Sequence, residues 1–342
     1  MKISRENLPV TIYYFPLIFS YIYLSAKYRS FLHIFASNPT IALGGAFSIS
    51  KNDFYKNIIT LNVVPKTLRF PSYRALQEHC RREQPFKLFE QNLYEPSYII
   101  KPDLGERGRG VIAFFRKVPD ECNTSKIQEP MLLQEFVSGE EFSIFYSNPS
   151  DEQNAQILTI TRRTTPTLRS DGRSTIKELI IANTKKNTVR KKLIKVNAER
   201  LDWIPPPGKD IRLSFIANHS QGATFCTVAS NIKEGRLLEL LNCISNSCGG
   251  LCHGRFDAKA KNLQWLLTGN DVKILEFNGA YAEPLQIYDK NCSLWKMYKT
   301  LHATLELAIK CGAENRSKGT AAPKLGDVFY YLMRQIRSRL GI

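Results

Sequence analysis

The chain has 342 residues, 43% of them hydrophobic and 23% charged, which excludes a sequence too polar to bury a core. That length suits one large domain or two to three lobes. A net charge of +17 calls for a polyanionic partner (nucleotide phosphates, nucleic acid, an acidic polymer or an anionic membrane face) without choosing among them.

The first element, Val10 to Ala26, is apolar and tyrosine-rich, with Pro16 near its middle. It lacks a small-x-small cleavage site and falls short of the roughly 20 apolar residues of a membrane span. It reads as a helix that packs on the body or rests on a membrane surface. Pro71 to Gln91 reads as a helix, and Ser97 to Asp103 as a short β-run. That run leads into "KPDLGERGRGV", whose glycines Gly105, Gly108 and Gly110 follow G-x-x-G-x-G. The order differs from both the dinucleotide fingerprint and the P-loop.

Strands are expected at "VIAFFRK", "MLLQEFV", "EEFSIFYSN" and "AQILTITRRT". The second runs into Gly139 and two glutamates. Such a hinge can offer backbone N–H and C=O groups to an adenine edge and a carboxylate to ribose hydroxyls. Arg173 to Val196 reads as helical, with its basic residues on a solvated face. "WIPPPGKD" is a rigid break, "ATFCTVAS" a strand and "GRLLELLNCISNSC" a helix.

"RFDAKA" and "ILEFNGA" follow, with the turn sequence "TGND" between them. Residues i and i+2 of a strand share a face, so Arg255 pairs with Asp257 and Glu276 with Asn278. If the two strands pair as a hairpin, one face carries two carboxylates, an amide oxygen and a guanidinium. The oxygens suit Mg²⁺, and the arginine suits a phosphate or an oxyanion. The last segment, "DVFYYLMRQIRSRLGI", places Phe329, Leu332, Ile336 and Leu340 on one helical face, with Arg334, Arg337 and Arg339 elsewhere. It is a second candidate for membrane contact or for docking on the body. Cys226, Cys243, Cys248 and Cys252, with His253 beside the last, do not follow a standard zinc spacing, and reduced, mostly buried cysteines are expected. The pattern as a whole is α+β, with hairpins more evident than βαβ units.

The order of these segments, roughly from Ser50 to Pro284, resembles the ATP-grasp superfamily, and within it the D-alanine–D-alanine ligases and cyanophycin synthetases. The resemblance implies a fold of two α/β lobes with ATP between them, preceded by a truncated N-terminal domain. It implies that Lys51 and Lys101 bind phosphates. The loop with Gly105, Arg107, Gly108, Arg109 and Gly110 closes over the triphosphate. Gln134, Glu135, Phe136 and Val137 flank the adenine, and Glu141 meets the ribose. "SDGRSTIKELI" is similar to a glycine-containing segment of cyanophycin synthetase. Arg255 is implied as the catalytic arginine, and Asp257, Glu276 and Asn278 as ligands of one or two Mg²⁺, with Mn²⁺ as an alternative. The expected organisation is 1–50 as a reduced pre-grasp region, 51–137 as the first lobe with the glycine loop, 138–312 as the second lobe with the metal-binding hairpin, and 313–342 as a basic amphipathic tail.

The chain departs from that pattern in two places. After Asn278 it reads "GAYAEP" where the peptide ligases read Thr-Ser-Pro-Gly or similar. "ANHSQGATF" replaces a stretch that often supplies another phosphate-facing lysine, and His219 or Arg212 is its substitute. The resemblance implies an ATP-dependent carboxylate–amine ligase that acts through an acyl phosphate on small-molecule substrates. The setting expected is the cytoplasm, with peripheral contact at the inner membrane face as an option and no nucleic-acid partner. The alternatives are a kinase-like phosphotransferase of the same fold and a non-catalytic basic protein that binds membrane or nucleic acid.

Overall fold

The computed structural model describes residues 10–47, 49–82, 93–105, 108, 110–115, 130–149, 155–217, 221–321 and 323–340. Helices α1 (Val10–Lys27) and α2 (Lys51–Ile58) precede strand β1 (Thr67–Phe70) and helix α3 (Tyr73–Arg82). Strands β2 (Tyr98–Pro102), β3 (Ile112–Phe114), β4 (Met131–Glu135), β5 (Glu140–Ser147), β6 (Gln156–Thr164) and β7 (Thr167–Arg169) come next. Helices α4 (Ile176–Asn183) and α5 (Asn187–Val196) lead to strands β8 (Asp210–Arg212) and β9 (Thr224–Ile232). Helix α6 (Arg236–Ser247), strand β10 (His253–Ala260), helix α7 (Leu263–Thr268) and strand β11 (Lys273–Asn278) follow, and α8 (Leu294–Ser317) and α9 (Leu325–Leu340) end the chain.

The strands form the α+β arrangement expected from the sequence. One sheet has the order β1-β4-β2-β3 and a larger one β11-β10-β5-β6-β9, each antiparallel throughout. The smaller sheet closes its core under α3, with Tyr73 and Leu76 on Ile100, Met131 and Leu133. Alternation divides the larger sheet. Phe142, Ile144, Ile160, Phe256, Ala258 and Phe277 join Leu237, Leu241 and Ile244 of α6 and Phe54 of α2 in the main core. The other face receives the polar half of each strand. A third pair, β7 with β8, carries α4 and α5 on its own small core of Ile176, Ile180, Leu193 and Ile211.

Two expectations are corrected. The stretch from Arg173 to Val196 forms two helices rather than one. Helix α4 starts on a capping box of Thr175 and Glu178, and its cap residue Thr184 is extended. The Thr184 carbonyl accepts from both Nε and Nη2 of Arg190, 3.0 and 2.8 Å away. The chain bends there because a side chain satisfies a carbonyl that helical backbone would otherwise have to satisfy. Likewise, β10 and β11 are neighbours but not a tight hairpin. Helix α7, capped by the Asn262 side chain, lies between them, and Gly269 ends it at φ +71°. The predicted helical residues beyond Arg82, 83 to 91, lie outside the described residues.

Helix α1 packs along α8. Tyr14 and Leu17 contact the Met297–Leu301 cluster, and Leu24 sits with Ala308 and Ile309. Its outer face leaves Phe15 and Phe19 about three-fifths exposed, at 58% and 62%. Among the described residues, no helix is long and apolar enough to cross a membrane. The described cysteines are all free, and no group of three or more His, Cys, Asp or Glu among the described residues could hold a metal.

Candidate active site

Strand β10 lays out the site in sequence order. His253, Arg255, Asp257 and Lys259 alternate with core residues, so all four lie on the polar face of the larger sheet. Strand β5 adds Glu141, Ser143 and Phe145 opposite Lys259, Asp257 and Arg255. Strand β6 adds Arg163 opposite Glu141. On the other side, Asn278 faces Arg255 and Glu276 faces Asp257, with a bulge at Leu275 that restores the alternation.

Asp257 is the hub. Arg255 grips it with two nitrogens, Nε to Oδ1 at 2.9 Å and Nη2 to Oδ2 at 3.3 Å. Arg163 Nη1 reaches Oδ2 at 2.8 Å, and Ser143 Oγ donates to Oδ1 at 3.1 Å. Burial alone would raise the Asp257 pKa, but the two guanidiniums outweigh it and hold the carboxyl below its usual range. Arg163 also pairs with Glu141 at 3.0 Å and donates through Nε to the Ala217 carbonyl at 3.1 Å. Burial opposes its charge, yet Glu141 and Asp257 raise its pKa above the ordinary value. The remaining Arg255 nitrogen, Nη1, donates to the Glu283 carbonyl at 3.0 Å.

Lys101 enters from the smaller sheet. Its ammonium donates to Tyr55 Oη and Gln134 Oε1, each at 2.9 Å, and to the Leu275 carbonyl at 3.4 Å. The two sheets therefore meet at the residue before Glu276. The partners of Lys101 are neutral, so burial dominates and its pKa falls to about 8, although Glu276, Asp103 and Glu141 pull the other way. Lys51, at the start of α2, donates to the carbonyls of Asp103 and Gly105 at 3.4 and 3.1 Å. It thus braces the exit from β2 into the glycine loop. The Asp103 carboxylate accepts from Ser50 Oγ and from the Asn52 backbone N–H at 2.9 Å, which stabilises the N-terminus of α2. Gly108 and Gly110 have φ of +70° and +72°, while Arg107, Arg109 and His219 lie outside the described residues.

Other predicted positions fall as follows. Gln134 sits inside the smaller sheet, where its side chain also donates to Thr67 Oγ1 at 2.8 Å. Glu135 accepts from the Lys66 backbone at 2.9 Å. The Phe136 ring lies 4.2 Å from the Lys259 ammonium, which donates to the Val137 carbonyl at 2.6 Å. Burial lowers the Lys259 pKa to about 8. Arg212 lies 3.9 Å from Glu95, on the hinge side of the site. The structure brings Lys101, Glu141, Arg255, Asp257, Glu276 and Asn278 together, with Lys51 and residues 135–137 at the periphery.

Sequence reading missed Arg163, Lys259, Ser143 and Asp103. Lys259 was legible, since it continues the i, i+2 series of Arg255 and Asp257. Arg163 was legible only once β6 is known to lie beside β5.

The donor set Asp257, Glu276 and Asn278 fits a hard divalent cation. Among the described residues the Glu276 side chain forms no hydrogen bond or ion pair, which leaves its carboxylate open to a cation. Two carboxylates and one amide oxygen match Mg²⁺, which keeps several water or phosphate ligands.

Neither a protein-family model nor a curated protein sequence matches the chain. Among solved structures it is similar to D-alanine–D-alanine ligase from Bacillus anthracis complexed with ATP, at 12% identity and a TM-score of 0.44, covering 79% of this chain and 68% of that one. It is similar to a bifunctional glutathione synthetase from Pasteurella multocida at 16% identity and a TM-score of 0.35, covering 78% of this chain and 38% of that one. For the ATP-grasp ligase PsnB, complexed with a precursor variant, Mg and ADP, the values are 13%, 0.37, 75% and 58%. The chain thus spans well under half the length of the synthetase.

Proposed function

We propose that this chain is an ATP-dependent carboxylate–amine ligase that forms an amide or peptide-like bond. One observation supports this most. Cationic side chains from both sheets, Lys101 on one and Arg163 and Arg255 on the other, converge beside a strand that carries Glu276 and Asn278 opposite Asp257. A triphosphate needs such cations, and Glu276, which has no ion-pair partner among the described residues, suits a divalent metal that would join it to the phosphates.

In this reading the nucleotide base lies towards Phe136 and Val137, the ribose near Glu141 and the phosphates by Lys101, Lys51 and the glycine loop. Asp257, Glu276 and Asn278 would hold Mg²⁺, which when bound spreads the charge of the phosphates. A substrate carboxylate oxygen bonds to the γ-phosphorus as the bond to ADP breaks. The amine nitrogen then attacks the acyl carbon, phosphate leaves with the C–O electron pair, and the amine gives up a proton. Arg255 stabilises the oxyanion of that second step. A fixed donor there is worth about 3 kcal/mol, or roughly a hundredfold in rate. The need for ATP requires a compartment that holds the nucleotide, and the cytoplasm is the one we propose.

The test is a screen of purified protein for ADP release across carboxylate–amine pairs. ADP formed in step with amine consumption is the expected result. A phosphorylated acid or alcohol as the stable product, with no amine consumed, would overturn ligation in favour of phosphoryl transfer.

A further inference from the structure

A cavity of about 480 Å³ opens beside the charged face, between α1, α8 and the loop that follows Asn278. Its floor includes His253, which precedes Arg255 by two residues on β10 and shares its face. Its rim includes Glu283, whose carbonyl accepts from Arg255 Nη1 at 3.0 Å. The cavity and the Arg255–Asp257 pair are therefore adjoining parts of one trough. Lys259 and the hinge lie at the opposite end.

The walls are apolar. Leu17 and Ile18 of α1, Leu301 and Leu305 of α8, and Ala280 and Ala282 of the loop supply most of them, with the phenols of Tyr14, Tyr21 and Tyr281. Among the described lining residues there is no lysine or arginine. Burial pushes the His253 pKa down to about 3, so its ring is neutral. The single charged group is the Glu283 carboxylate, held by Tyr288 Oη at 2.9 Å. Such a lining repels a carboxylate and lacks the cations that a free amino-acid carboxylate requires. It favours an ammonium at the Glu283 end, where Asp257 offsets the charge of the neighbouring Arg255, and a hydrocarbon or aromatic body between the helices. The volume is in the range of about 300–1,000 Å³ typical of small-molecule sites.

We propose that this cavity is the amine-substrate site, and that the amine it takes carries a bulky, uncharged apolar body. The proposal rests on the ligase reading for the word substrate, but its binding chemistry stands on the cavity alone. The experiment is calorimetric titration of the full-length protein with butylamine, hexylamine, octylamine and octanoate as probes, and with ATP·Mg²⁺ in parallel. Affinity should rise about fourfold per added methylene, as expected for apolar surface leaving water. Octanoate should bind at least tenfold more weakly than octylamine. Leu305→Arg places a cation in the cavity and should abolish octylamine binding while ATP·Mg²⁺ binding persists. Ala282→Leu, a milder change, should weaken octylamine more than butylamine, and Glu283→Gln should erase the preference for amine over carboxylate. Equal affinity across chain lengths, octanoate binding as tightly as octylamine, or octylamine binding unchanged in the Leu305 and Ala282 variants would overturn the proposal. Failure of ATP·Mg²⁺ to bind the wild type, with chain-length-dependent octylamine binding intact, would overturn the ligase reading and leave the amine pocket standing.

Discussion

At Asp257 two guanidiniums and a hydroxyl share one carboxylate. Removing the anion from such a cluster leaves Arg255 without an anionic partner among the described residues and Arg163 with Glu141 alone, where breaking a buried pair costs about 3–5 kcal/mol. Asp257→Asn should therefore lose both stability and turnover. Glu276→Gln, which breaks no ion pair to a described residue, should lose turnover with stability close to wild type. Chemical denaturation and ADP release distinguish the two. Wild-type turnover in Glu276→Gln would remove that residue from the metal site. Arg255→Lys keeps the charge but loses the two-nitrogen grip, so nucleotide should bind nearly normally while product forms roughly a hundredfold more slowly. Equal rates in the two proteins would leave Arg255 as a purely structural partner of Asp257.

Lys101 gives a pH signature with two opposite arms. Its folded pKa is near 8, below the value of about 10.4 for an unfolded lysine. Between those values the unfolded chain holds a proton that the folded chain has released, so stability rises with pH across that window. Phosphate affinity moves the other way, because a neutral amine does not attract phosphate. Wild-type ATP affinity should fall as pH climbs through about 8, and Lys101→Met should bind weakly on both sides with a shallower slope. Lys259 titrates in the same range and adds to the stability arm. An affinity that stays constant through this range would take Lys101 out of phosphate binding.

Among the elements, the passage from β4 to β5 connects the two sheets and carries the hinge. Gly139 crosses it at φ +108°, and a Cβ there would lie 2.4 Å from the Ala260 carbonyl oxygen. Neither the backbone angle nor the space admits a side chain. Gly139→Ala should cost about 1–3 kcal/mol from backbone strain alone, and more from the clash. Because Lys259 anchors on Val137 two residues earlier, the variant should also weaken ATP binding. A denaturation midpoint equal to wild type would show that the strands can part there at no cost. The strand β10 repeats the lesson in another form. Its alternation gives one face to the core and arranges the other as cavity, arginine, aspartate and lysine in a line.

For the whole molecule, the sheets touch through Lys101 and Tyr55 at the Leu275 carbonyl. A ligand held by both sheets stabilises the native state by mass action, about 2.7 kcal/mol at about 100 times its Kd. ATP with Mg²⁺ should raise the unfolding midpoint, ATP without Mg²⁺ should raise it less, and the Mg²⁺ increment should vanish in Glu276→Gln. The net charge of +17 adds a long-range attraction for the nucleotide, so its affinity should weaken as salt rises past physiological strength, where the screening length is about 8 Å. An unfolding midpoint that ignores ATP·Mg²⁺ would argue against a nucleotide between the sheets.

The local pattern alone determined much of this protein. Alternation in "RFDAKA" and "KILEFN" put Arg255 with Asp257 and Glu276 with Asn278, because strand geometry is a property of neighbouring residues. The class of fold was legible for the same reason, since antiparallel runs with polar turns show in short windows. Other features depended on contacts between distant residues, which no window contains. Arg163 reaches Asp257 across 94 positions only because β5 lies between β6 and β10. The burial that lowers Lys101 to about 8 comes from Tyr55, Gln134 and Leu275, brought from three separate elements. The apolar cavity needs α1, α8 and the loop after β11 side by side. The sequence shows each of these as amphipathic or irregular, and only packing decides that their apolar faces leave a space beside Arg255 rather than filling it.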